Sequence, residues 1–337
     1  MKACVLEAKN HITYKEIPTP TLKDNEVLVK IGACGICSSD FDRVFGESAY
    51  FYPLVLGHEF SGKVIECAKD TDSTLLNKKV VVFPLLPCNK CEFCKEKHYA
   101  QCTNYSYFGS RQNGAMAEYI TVPQWNLKTI PDDMPYQIAA MSEPAAVAMH
   151  TIEKIKDFKG KTLCVSGSGA IGIFCAIAAK NKGAEVSFLI RNNTKKEFLE
   201  TLGFTNFIFE TEETINSFDY LIECVGTNAS LTNCIKFVKS RGTIIIVGNP
   251  KSDMNIEKKL YWKLLRSEIS LLGVWNSNYK NENIDDWDRA IEFLYNNQTT
   301  INKLITDKFT LTDSINAFTT MKNNNRITIK GVFINEE

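Results

Sequence analysis

The chain has 337 residues, 44% of them hydrophobic, which is more than one hydrophobic core accommodates and predicts two domains. Its 39 basic residues balance 39 acidic ones, which disfavours nucleic-acid and anionic-membrane partners and favours a small-molecule partner. Met1 to Ile12 lacks the apolar segment of a signal peptide, and no stretch is apolar over the ~20 residues of a membrane span. We therefore expect a cytoplasmic protein without a membrane partner.

The amino-terminal part predicts a β-rich domain. Short runs rich in β-branched and aromatic residues are bounded by Gly, Pro, Asn or Asp, as is typical of strands separated by turns. These runs are Val27–Ile31, Gly62–Cys67, Lys79–Phe83 and Ala117–Val122. We assign residues 1–145 to this domain.

Beyond Ile138 the pattern becomes helical and then alternates between strand and helix, which predicts an α/β domain with a parallel, doubly wound sheet over 146–273. The apolar runs suit strands that are buried on both faces. They are Thr162–Val165, Glu185–Ile190, Tyr220–Glu223, Thr243–Val247 and Ile269–Gly273.

The tail, 274–337, contains an amphipathic helix around Trp287–Tyr295 and a final strand at Ile327–Ile334. We assign this tail to the first domain.

Four of the 12 cysteines follow the spacing C-x2-C-x2-C-x7-C. In a large chain without a signal, clustered cysteines more often bind metal than form disulfides. One loop can fold four such thiolates onto a tetrahedral zinc ion, which leaves no position for substrate. Alternatives are an iron–sulfur cluster and unrelated core cysteines. We predict structural zinc in a lobe at 84–105, bound by Cys88, Cys91, Cys94 and Cys102.

A second set of candidate metal ligands comes from separate loops. Cys37 precedes Ser39 and Asp40, and His58 and Glu59 follow a strand-like run. Glu143 lies in an apolar stretch, where coordination would compensate the cost of burying its charge. Each residue alone is more often packed or hydrogen-bonded, so their joint order along the chain carries the prediction.

The segment from Leu163 to Gly172 runs from a buried strand through G-x-G-x-x-G into a helix, the context that a dinucleotide-binding motif requires. Gly167 permits the tight turn, Gly169 the approach of backbone to pyrophosphate, and Gly172 the packing of helix on strand. The helix amino terminus, with Ala170 and Ile171, attracts the phosphates.

The cofactor preference follows from the end of the second strand of this domain. An Asp or Glu there binds the ribose hydroxyls of NAD, but the chain has Arg191 and Lys196 in this region and no carboxylate. Both cations can pair with a 2′-phosphate. We predict a preference for NADP(H) over NAD(H), the alternative being a solvated basic turn.

These motifs together resemble the zinc-containing medium-chain dehydrogenases along essentially the whole chain. The resemblance rests on the G-x-C-x-S-D and G-H-E motifs, the four-cysteine lobe and the glycine fingerprint. Phe45–Gly62, Pro84–Tyr119 and Leu271–Tyr279 most resemble the galactitol-1-phosphate 5-dehydrogenases, and sorbitol and threonine dehydrogenases are more distant. The resemblance implies a GroES-like domain and a Rossmann domain.

The resemblance also implies the roles of the site residues. Cys37, His58 and Glu143 would bind a catalytic zinc that acts as a Lewis acid on the substrate alcohol, with Glu59 as an exchangeable ligand. Ser39 would take the alcohol proton, and Asp40 would hold the second ring nitrogen of His58. Turn-capping is the alternative for both.

Two further implications concern the proton path and the substrate. Many relatives continue the relay with a histidine five residues after the cysteine, where this chain has Asp42. The resemblance places an aromatic wall and cations near a cleft between the domains, and arginine matches phosphate oxygens. The candidates are Arg43, Tyr50, Phe108, Arg111 and Trp275, which could equally be packing residues.

The expected activity is the oxidation of galactitol 1-phosphate or a similar polyol phosphate to a ketose phosphate. Free polyols such as sorbitol, and L-threonine, are alternative substrates. A cofactor sensor without turnover is a non-enzymatic alternative, and a zinc-ribbon nucleic-acid module leaves the glycine fingerprint unexplained. The family resemblance implies a homo-oligomer, either a dimer or a tetramer.

Overall fold

Two stretches that are far apart in the chain, Met1–Ala146 and Asn278–Glu337, fold into one unit, and Val147–Ser277 forms the other. The computed structural model describes residues 1–191, 193–211, 216–322 and 326–335. Within these ranges, every helix is too short or too polar to cross a bilayer.

The chain as far as residue 152 consists mainly of strands, because short runs rich in β-branched and aromatic residues are separated by turn residues. The elements are β1 (Lys2–Ala8), β2 (His11–Glu16), β3 (Glu26–Ile36), α1 (Ser38–Phe45), β4 (Leu54–Val55), β5 (Glu59–Cys67), β6 (Lys79–Val82), β7 (Leu85–Leu86), α2 (Glu92–Lys95), β8 (Ser106–Tyr107), β9 (Tyr119–Pro123), β10 (Leu127–Thr129), α3 (Tyr136–Ala139) and α4 (Ser142–Ile152). The four strands predicted here correspond to β3, β5, β6 and β9, which confirms a β-rich fold.

The second unit alternates strands and helices. It contains β11 (Thr162–Ser166), α5 (Ala170–Asn181), β12 (Glu185–Ile190), α6 (Lys196–Thr201), β13 (Phe207–Phe209), β14 (Phe218–Glu223), α7 (Asn228–Phe237), β15 (Val238–Ile246), α8 (Lys258–Arg266) and β16 (Ser270–Gly273). The strands pair in parallel in the order β13-β12-β11-β14-β15-β16. The order reverses between β11 and β14, the position at which doubly wound sheets bind ligands.

The tail contributes α9 (Asp286–Asn296), α10 (Gln298–Asn302), β17 (Ile305–Phe309), α11 (Ser314–Lys322) and β18 (Lys330–Ile334). In the first unit, one sheet has the order β10-β6-β5-β3-β18-β17, and β9 also pairs with β3. The final strand begins at Lys330 rather than at the predicted Ile327.

Strand β3 determines where the site forms, because it lies between β5 and β18 and pairs antiparallel with both. Its residue Gly35 is opposite Glu59 on β5 and Val332 on β18. The carboxyl end of β3, which leads to Cys37, therefore lies beside the start of β5 and the start of β18. Buried apolar side chains of β1, β3, β5 and β6 form the core beneath this sheet.

Candidate functional site

The start of α1 and the start of β5 bring three potential metal ligands together. Ligand atoms of Cys37, His58 and Glu59 all lie within 4.8 Å of one another. His58 and Glu59 are buried, and Cys37 is half-buried. A thiolate, an imidazole and a carboxylate are ligands that zinc accepts, and burying them together is costly without a cation. The donor set therefore fits zinc.

Asp40 organises the cysteine and lies beside the histidine. Its Oδ2 accepts a hydrogen bond of 3.0 Å from the backbone N–H of Cys37, which caps the first turn of α1. Its Oδ1 lies 3.6 Å from Nδ1 of His58, slightly beyond hydrogen-bond length. Burial opposes ionisation, but the charges of His58 and Arg43 lower the pKa of this buried carboxyl. Asp40 is therefore an anion beside His58.

Ser39 and Arg43 form a pair one turn apart on α1. Nη1 of Arg43 donates to Ser39 Oγ over 2.9 Å and lies 3.1 Å from Asp40 Oδ1. The Arg43 side chain is 13% exposed. The guanidinium that we considered for substrate phosphate thus has partners on its own helix, and it fixes the hydroxyl that we expect to take the alcohol proton.

Glu143 lies outside the three-ligand cluster, and Tyr107 holds its carboxylate. The Tyr107 hydroxyl donates to Glu143 Oε1 over 3.0 Å, and the Tyr107 ring packs edge-on against His58 with centroids 5.7 Å apart. Burial raises the pKa of Glu143, although His58 opposes the shift. Glu143 thus lies close enough to His58 for the two side chains to interact electrostatically.

Lys330 supplies a buried cation to the cluster from the carboxyl-terminal strand. Its Nζ forms an ion pair with Glu59 Oε2, and the two side chains are 4% and 1% exposed. Burial opposes protonation, but the charge of Glu59 raises the pKa of Lys330. Lys330 would therefore compete with a bound metal ion for the carboxylate of Glu59.

The four-cysteine lobe is assembled around α2. The sulfur atoms of Cys88, Cys91, Cys94 and Cys102 lie within 4.8 Å of one another, and all four are free thiols. Backbone N–H groups of Cys88 and Cys91 donate to Cys102 Sγ over 3.3 Å and to Cys88 Sγ over 3.4 Å. Backbone donors from Thr103 and Cys94 lower the pKa of Cys91 to about 6. Burial has the opposite effect on Cys94 and raises its pKa to about 12. Four sulfur atoms gathered within one loop fit structural zinc.

The predicted glycine turn joins β11 to α5. Gly167 has a φ of +110°, a left-handed conformation that glycine adopts without strain. A Cβ on Gly172 would lie 2.0 Å from the carbonyl oxygen of Gly167, whereas a Cβ on Gly169 would meet no atom within 4 Å. Gly172 thus permits the packing of α5 on the turn, with Ala170 and Ile171 in its first turn. Gly169 leaves open space for a ligand.

Lys195, rather than Lys196, lies against the glycine turn. Its Nζ donates to the carbonyl oxygen of Ser168 over 3.4 Å. Burial and then the charge of Arg191 lower the pKa of Lys195, so two cations repel each other at the end of β12. Lys196 instead points to the Phe207 ring and to Glu200, 5.7 Å and 3.9 Å away.

The candidate substrate residues have different environments. Phe108 is 3% exposed and packs edge-on against Phe60 in the core. Tyr50 and Trp275 are 63% and 52% exposed. Arg111 lies over two tyrosine rings, with its Cζ 4.9 Å from the Tyr50 centroid and 4.1 Å from that of Tyr105.

Sequence reasoning missed Tyr107, Lys330 and Lys195. Tyr107 stands one residue before Phe108, which we had named. Lys330 carried no signal, because only the antiparallel pairing of β18 with β3 brings it to Glu59. Adjacent lysines project from a helical turn in directions about 100° apart, so the sequence could not distinguish Lys195 from Lys196.

Two family profiles match the chain. The alcohol dehydrogenase GroES-like domain matches residues 23–132, and the zinc-binding dehydrogenase domain matches residues 170–296.

Three relatives align along nearly the whole chain. Galactitol 1-phosphate 5-dehydrogenase of Escherichia coli K12 is 29% identical, and the alignment covers 90% of this chain and 92% of that protein. D-arabitol-phosphate dehydrogenase of Enterococcus avium is 28% identical over 95% and 93% of the two chains. Sorbitol dehydrogenase of Bacillus subtilis 168 is 29% identical over 92% and 90%.

Solved structures show the same fold. The crystal structure of galactitol-1-phosphate dehydrogenase from Escherichia coli superposes with a TM-score of 0.92 at 27% identity, covering 99% of this chain and 100% of that one. A zinc-binding dehydrogenase from Sinorhizobium meliloti 1021 bound to NADP superposes with a TM-score of 0.89 at 25% identity, covering 99% of each chain. The predicted fold class, a GroES-like domain with a Rossmann domain, is confirmed. The chain belongs to the zinc-dependent medium-chain dehydrogenase superfamily and is an alcohol or polyol oxidoreductase.

Proposed function

We propose that this dehydrogenase oxidises a secondary alcohol of a polyol phosphate, of the galactitol 1-phosphate type, to a ketose phosphate. The observation that carries the proposal is the convergence of Cys37, His58 and Glu59 next to the hydroxyl of Ser39, in a chain whose relatives include two dehydrogenases named for polyol phosphates.

In this proposal Cys37, His58 and Glu59 hold the catalytic zinc. Glu143 lies beside them and serves as a further ligand, and the four cysteines of the lobe hold a structural zinc. Catalytic zinc supplies Lewis-acid polarisation of the alcohol oxygen, which lowers the pKa of the alcohol. Asp40 fixes His58 electrostatically, and Lys330 stabilises Glu59 as a carboxylate when that group is not a ligand.

Ser39 removes the proton of the alcohol. Its Oγ already accepts a hydrogen bond from Arg43, which orients the hydroxyl and leaves its own proton free to be donated onward as the substrate proton arrives. Many relatives continue the proton relay with a histidine at the position where this chain has Asp42. Because Asp42 is exposed to solvent, the proton passes from Ser39 to water in this proposal. The carbon that bears this oxygen would give its hydride to the nicotinamide, so the alcohol would lose two electrons and the cofactor would gain them.

We propose that the cofactor is NADP(H), held by the glycine turn after β11. The supporting observation is the pair of cations at the end of β12, Arg191 and Lys195, whose mutual repulsion a 2′-phosphate would relieve. Lys196, which we named from the sequence, has Glu200 and the Phe207 ring as neighbours.

A panel of substrates tests the proposed function. Absorbance at 340 nm is followed with zinc-loaded protein, either NADP+ or NAD+, and galactitol 1-phosphate, other polyol phosphates, free polyols or L-threonine. We expect turnover of a phosphorylated polyol that Cys37→Ala abolishes, with a higher kcat/KM for NADP+ than for NAD+. Turnover only of free polyols would favour the second candidate, a sorbitol-type dehydrogenase, which the Bacillus subtilis relative suggests.

We further propose a homo-oligomer that forms through the edge strand β16. Leu271 and Leu272 of β16 are 40% and 37% exposed, and Tyr261, Trp262 and Leu265 of α8 are also exposed. An exposed apolar edge strand is a template for pairing with another chain. Light scattering after gel filtration tests this, since Leu271→Lys should shift a dimer or tetramer toward the monomer, and an unchanged mass would refute it.

A further inference from the structure

Arg111 is a cation that aromatic rings, rather than a carboxylate, hold in place. Its guanidinium lies over the rings of Tyr50 and Tyr105, donates from Nη1 to the Tyr105 carbonyl over 2.9 Å, and donates from Nη2 to the Tyr50 hydroxyl over 3.2 Å. In the described ranges, no carboxylate oxygen lies within 4.0 Å of this guanidinium. Arg111 is thus fixed in orientation and its charge is not neutralised.

The contacts of Arg111 with Tyr50 and Tyr105 leave some of the N–H donors of its guanidinium free. A guanidinium has five N–H groups in its plane, and contact with an aromatic ring occupies a face rather than an edge. The two hydrogen bonds use two of the five donors. The others can bind two oxygens of a phosphate group side by side, the bidentate arrangement that suits arginine.

The loop that carries Arg111 is fastened to the chain segment that carries His58. Gly109, with a φ of +72°, packs so closely on Gly57 that a Cβ would lie 2.6 Å from the Gly57 carbonyl oxygen. That same oxygen accepts a hydrogen bond of 3.0 Å from the N–H of Ala115. The position of Arg111 relative to the metal-ligand cluster is therefore fixed by backbone contacts on both sides of it.

A row of aromatic side chains runs from Arg111 to His58 and limits the distance between them. The Tyr105 ring packs against Tyr107 with centroids 6.3 Å apart, and the Tyr107 ring packs against His58 at 5.7 Å. Arg111 thus lies two rings away from His58. The three steps from Arg111 Cζ through the two tyrosine rings to the His58 ring limit the direct distance to about 16 Å. A hexitol phosphate measures roughly 8 Å from its fifth carbon to its phosphorus atom, and contacts of about 4 Å at each end let it span a distance up to this limit.

We propose that Arg111, held by Tyr50 and Tyr105, binds the phosphate group of a phosphorylated polyol whose reacting carbon lies at the Cys37, His58 and Glu59 cluster. This inference rests on the proposed function and names the residue that would discriminate phosphorylated from free polyols. Arg43 is the weaker candidate for that role, because its charge is already paired with the Asp40 carboxylate and its Nη1 also donates to Ser39.

Calorimetric titration of the full chain with galactitol 1-phosphate, galactitol and inorganic phosphate tests the proposal without relying on turnover. Arg111→Gln should raise the Kd for galactitol 1-phosphate by about 10- to 100-fold, the loss expected for hydrogen bonds to a charged group. Arg111→Lys, which keeps the charge without the planar fork, should lie between wild type and Arg111→Gln. Arg241→Gln is the matched control, because that side chain is 84% exposed, and it should bind as wild type does.

Tyr50→Phe is a second variant that retains the fold, since Tyr50 is 63% exposed. It removes the hydroxyl that aligns Nη2, and we expect a few-fold weaker binding of the phosphorylated ligand. Equal binding of galactitol 1-phosphate by wild type and Arg111→Gln, or no preference of wild type for galactitol 1-phosphate over galactitol, would overturn the proposal.

Coupled kinetics separate this inference from the proposed function. Binding that depends on Arg111 but leads to no oxidation would leave the phosphate subsite in place and refute the proposed substrate. Oxidation of galactitol 1-phosphate with the same KM in wild type and Arg111→Gln would support the proposed substrate and remove Arg111 from its recognition.

Discussion

Lys330 forms a buried ion pair with Glu59, the carboxylate beside His58 in the metal-ligand cluster. The pair joins the last strand of the chain to the strand that carries the G-H-E motif. Because both side chains are almost completely buried, removal of one charge leaves the other without compensation unless a metal ion binds it.

Lys330→Met should destabilise the metal-free protein by about 3 kcal/mol, the usual cost of breaking a buried pair. Zinc should restore more stability to this variant than to wild type, since Glu59 then has only the metal as a partner. Urea unfolding with a chelator and with zinc measures both effects. Lys308→Met, at an exposed position of the neighbouring strand β17, is the control. Equal stabilisation of wild type and Lys330→Met by zinc would contradict the competition between Lys330 and the metal.

The lobe cysteines should be needed for stability rather than for chemistry. Cys91→Ser should lower the zinc content by one ion per chain and lower the Tm by about 10 °C, because binding a structural metal contributes directly to folding. Metal analysis and thermal unfolding give the two readouts. Cys67→Ser, at a free thiol outside both metal-ligand clusters, should change neither. Unchanged zinc content in Cys91→Ser would rule out a metal in the lobe.

Substitutions of two glycines of the cofactor turn should have different effects, one on stability and the other on cofactor affinity. Gly172→Ala should lower the free energy of unfolding by about 2 kcal/mol or more, because its Cβ would lie 2.0 Å from the Gly167 carbonyl oxygen. Gly169→Ala has free space around its Cβ, so stability should stay within about 0.5 kcal/mol of wild type, while NADPH affinity should fall at least about tenfold. Urea unfolding and NADPH fluorescence titration compare them. Wild-type NADPH binding by Gly169→Ala would mean that the pyrophosphate does not approach this backbone.

Lys195 and Lys196 form a matched pair for testing cofactor preference. Lys195→Ala should raise the Kd for NADP+ about tenfold and leave that for NAD+ within about twofold, since the lost charge pairs only with the 2′-phosphate. Lys196→Ala should bind both cofactors as wild type does. Titration calorimetry measures the four constants. The reverse pattern would assign the phosphate to Lys196, as we predicted from the sequence.

Asp219 should make the second unit sensitive to acid. Burial opposes ionisation, but hydrogen bonds from Thr162 and Lys239 lower the pKa of Asp219 from 3.8 to about 2. A carboxyl with a lowered pKa in the folded state stabilises above its unfolded pKa, and this contribution is lost as the pH falls from about 4 to about 2.

Asp219→Asn should therefore lower the free energy of unfolding by about 1 to 2 kcal/mol at pH 7 and by less at pH 3. Urea unfolding at the two pH values measures the difference. Asp253→Asn, at an exposed aspartate of the same unit, is the control. An effect of Asp219→Asn that is as large at pH 3 as at pH 7 would show that the ionised carboxylate is not the stabilising form.

The sequence by itself determined the class of each part of the fold. Runs of β-branched and aromatic residues between turn residues predicted β3, β5, β6 and β9, and the buried apolar runs predicted five of the six described strands of the parallel sheet. It did not predict β13, which has only three residues, Phe207–Phe209, too few to establish a period. The cysteine spacing and the glycine turn were equally local, because a single loop places all their members.

Only the tertiary structure decided which distant residues meet. Cys37, His58, Lys330 and Tyr107 come from four separate segments, and the pairing of β18 and β5 with β3 and the packing of the Gly109 loop on Gly57 bring them together. Side-chain direction was likewise a tertiary outcome: Lys195 faces the glycine turn and Phe108 faces the core. The physical reason is that a local pattern fixes the backbone type of a segment, whereas the partner of a charge depends on what the folded chain places beside it.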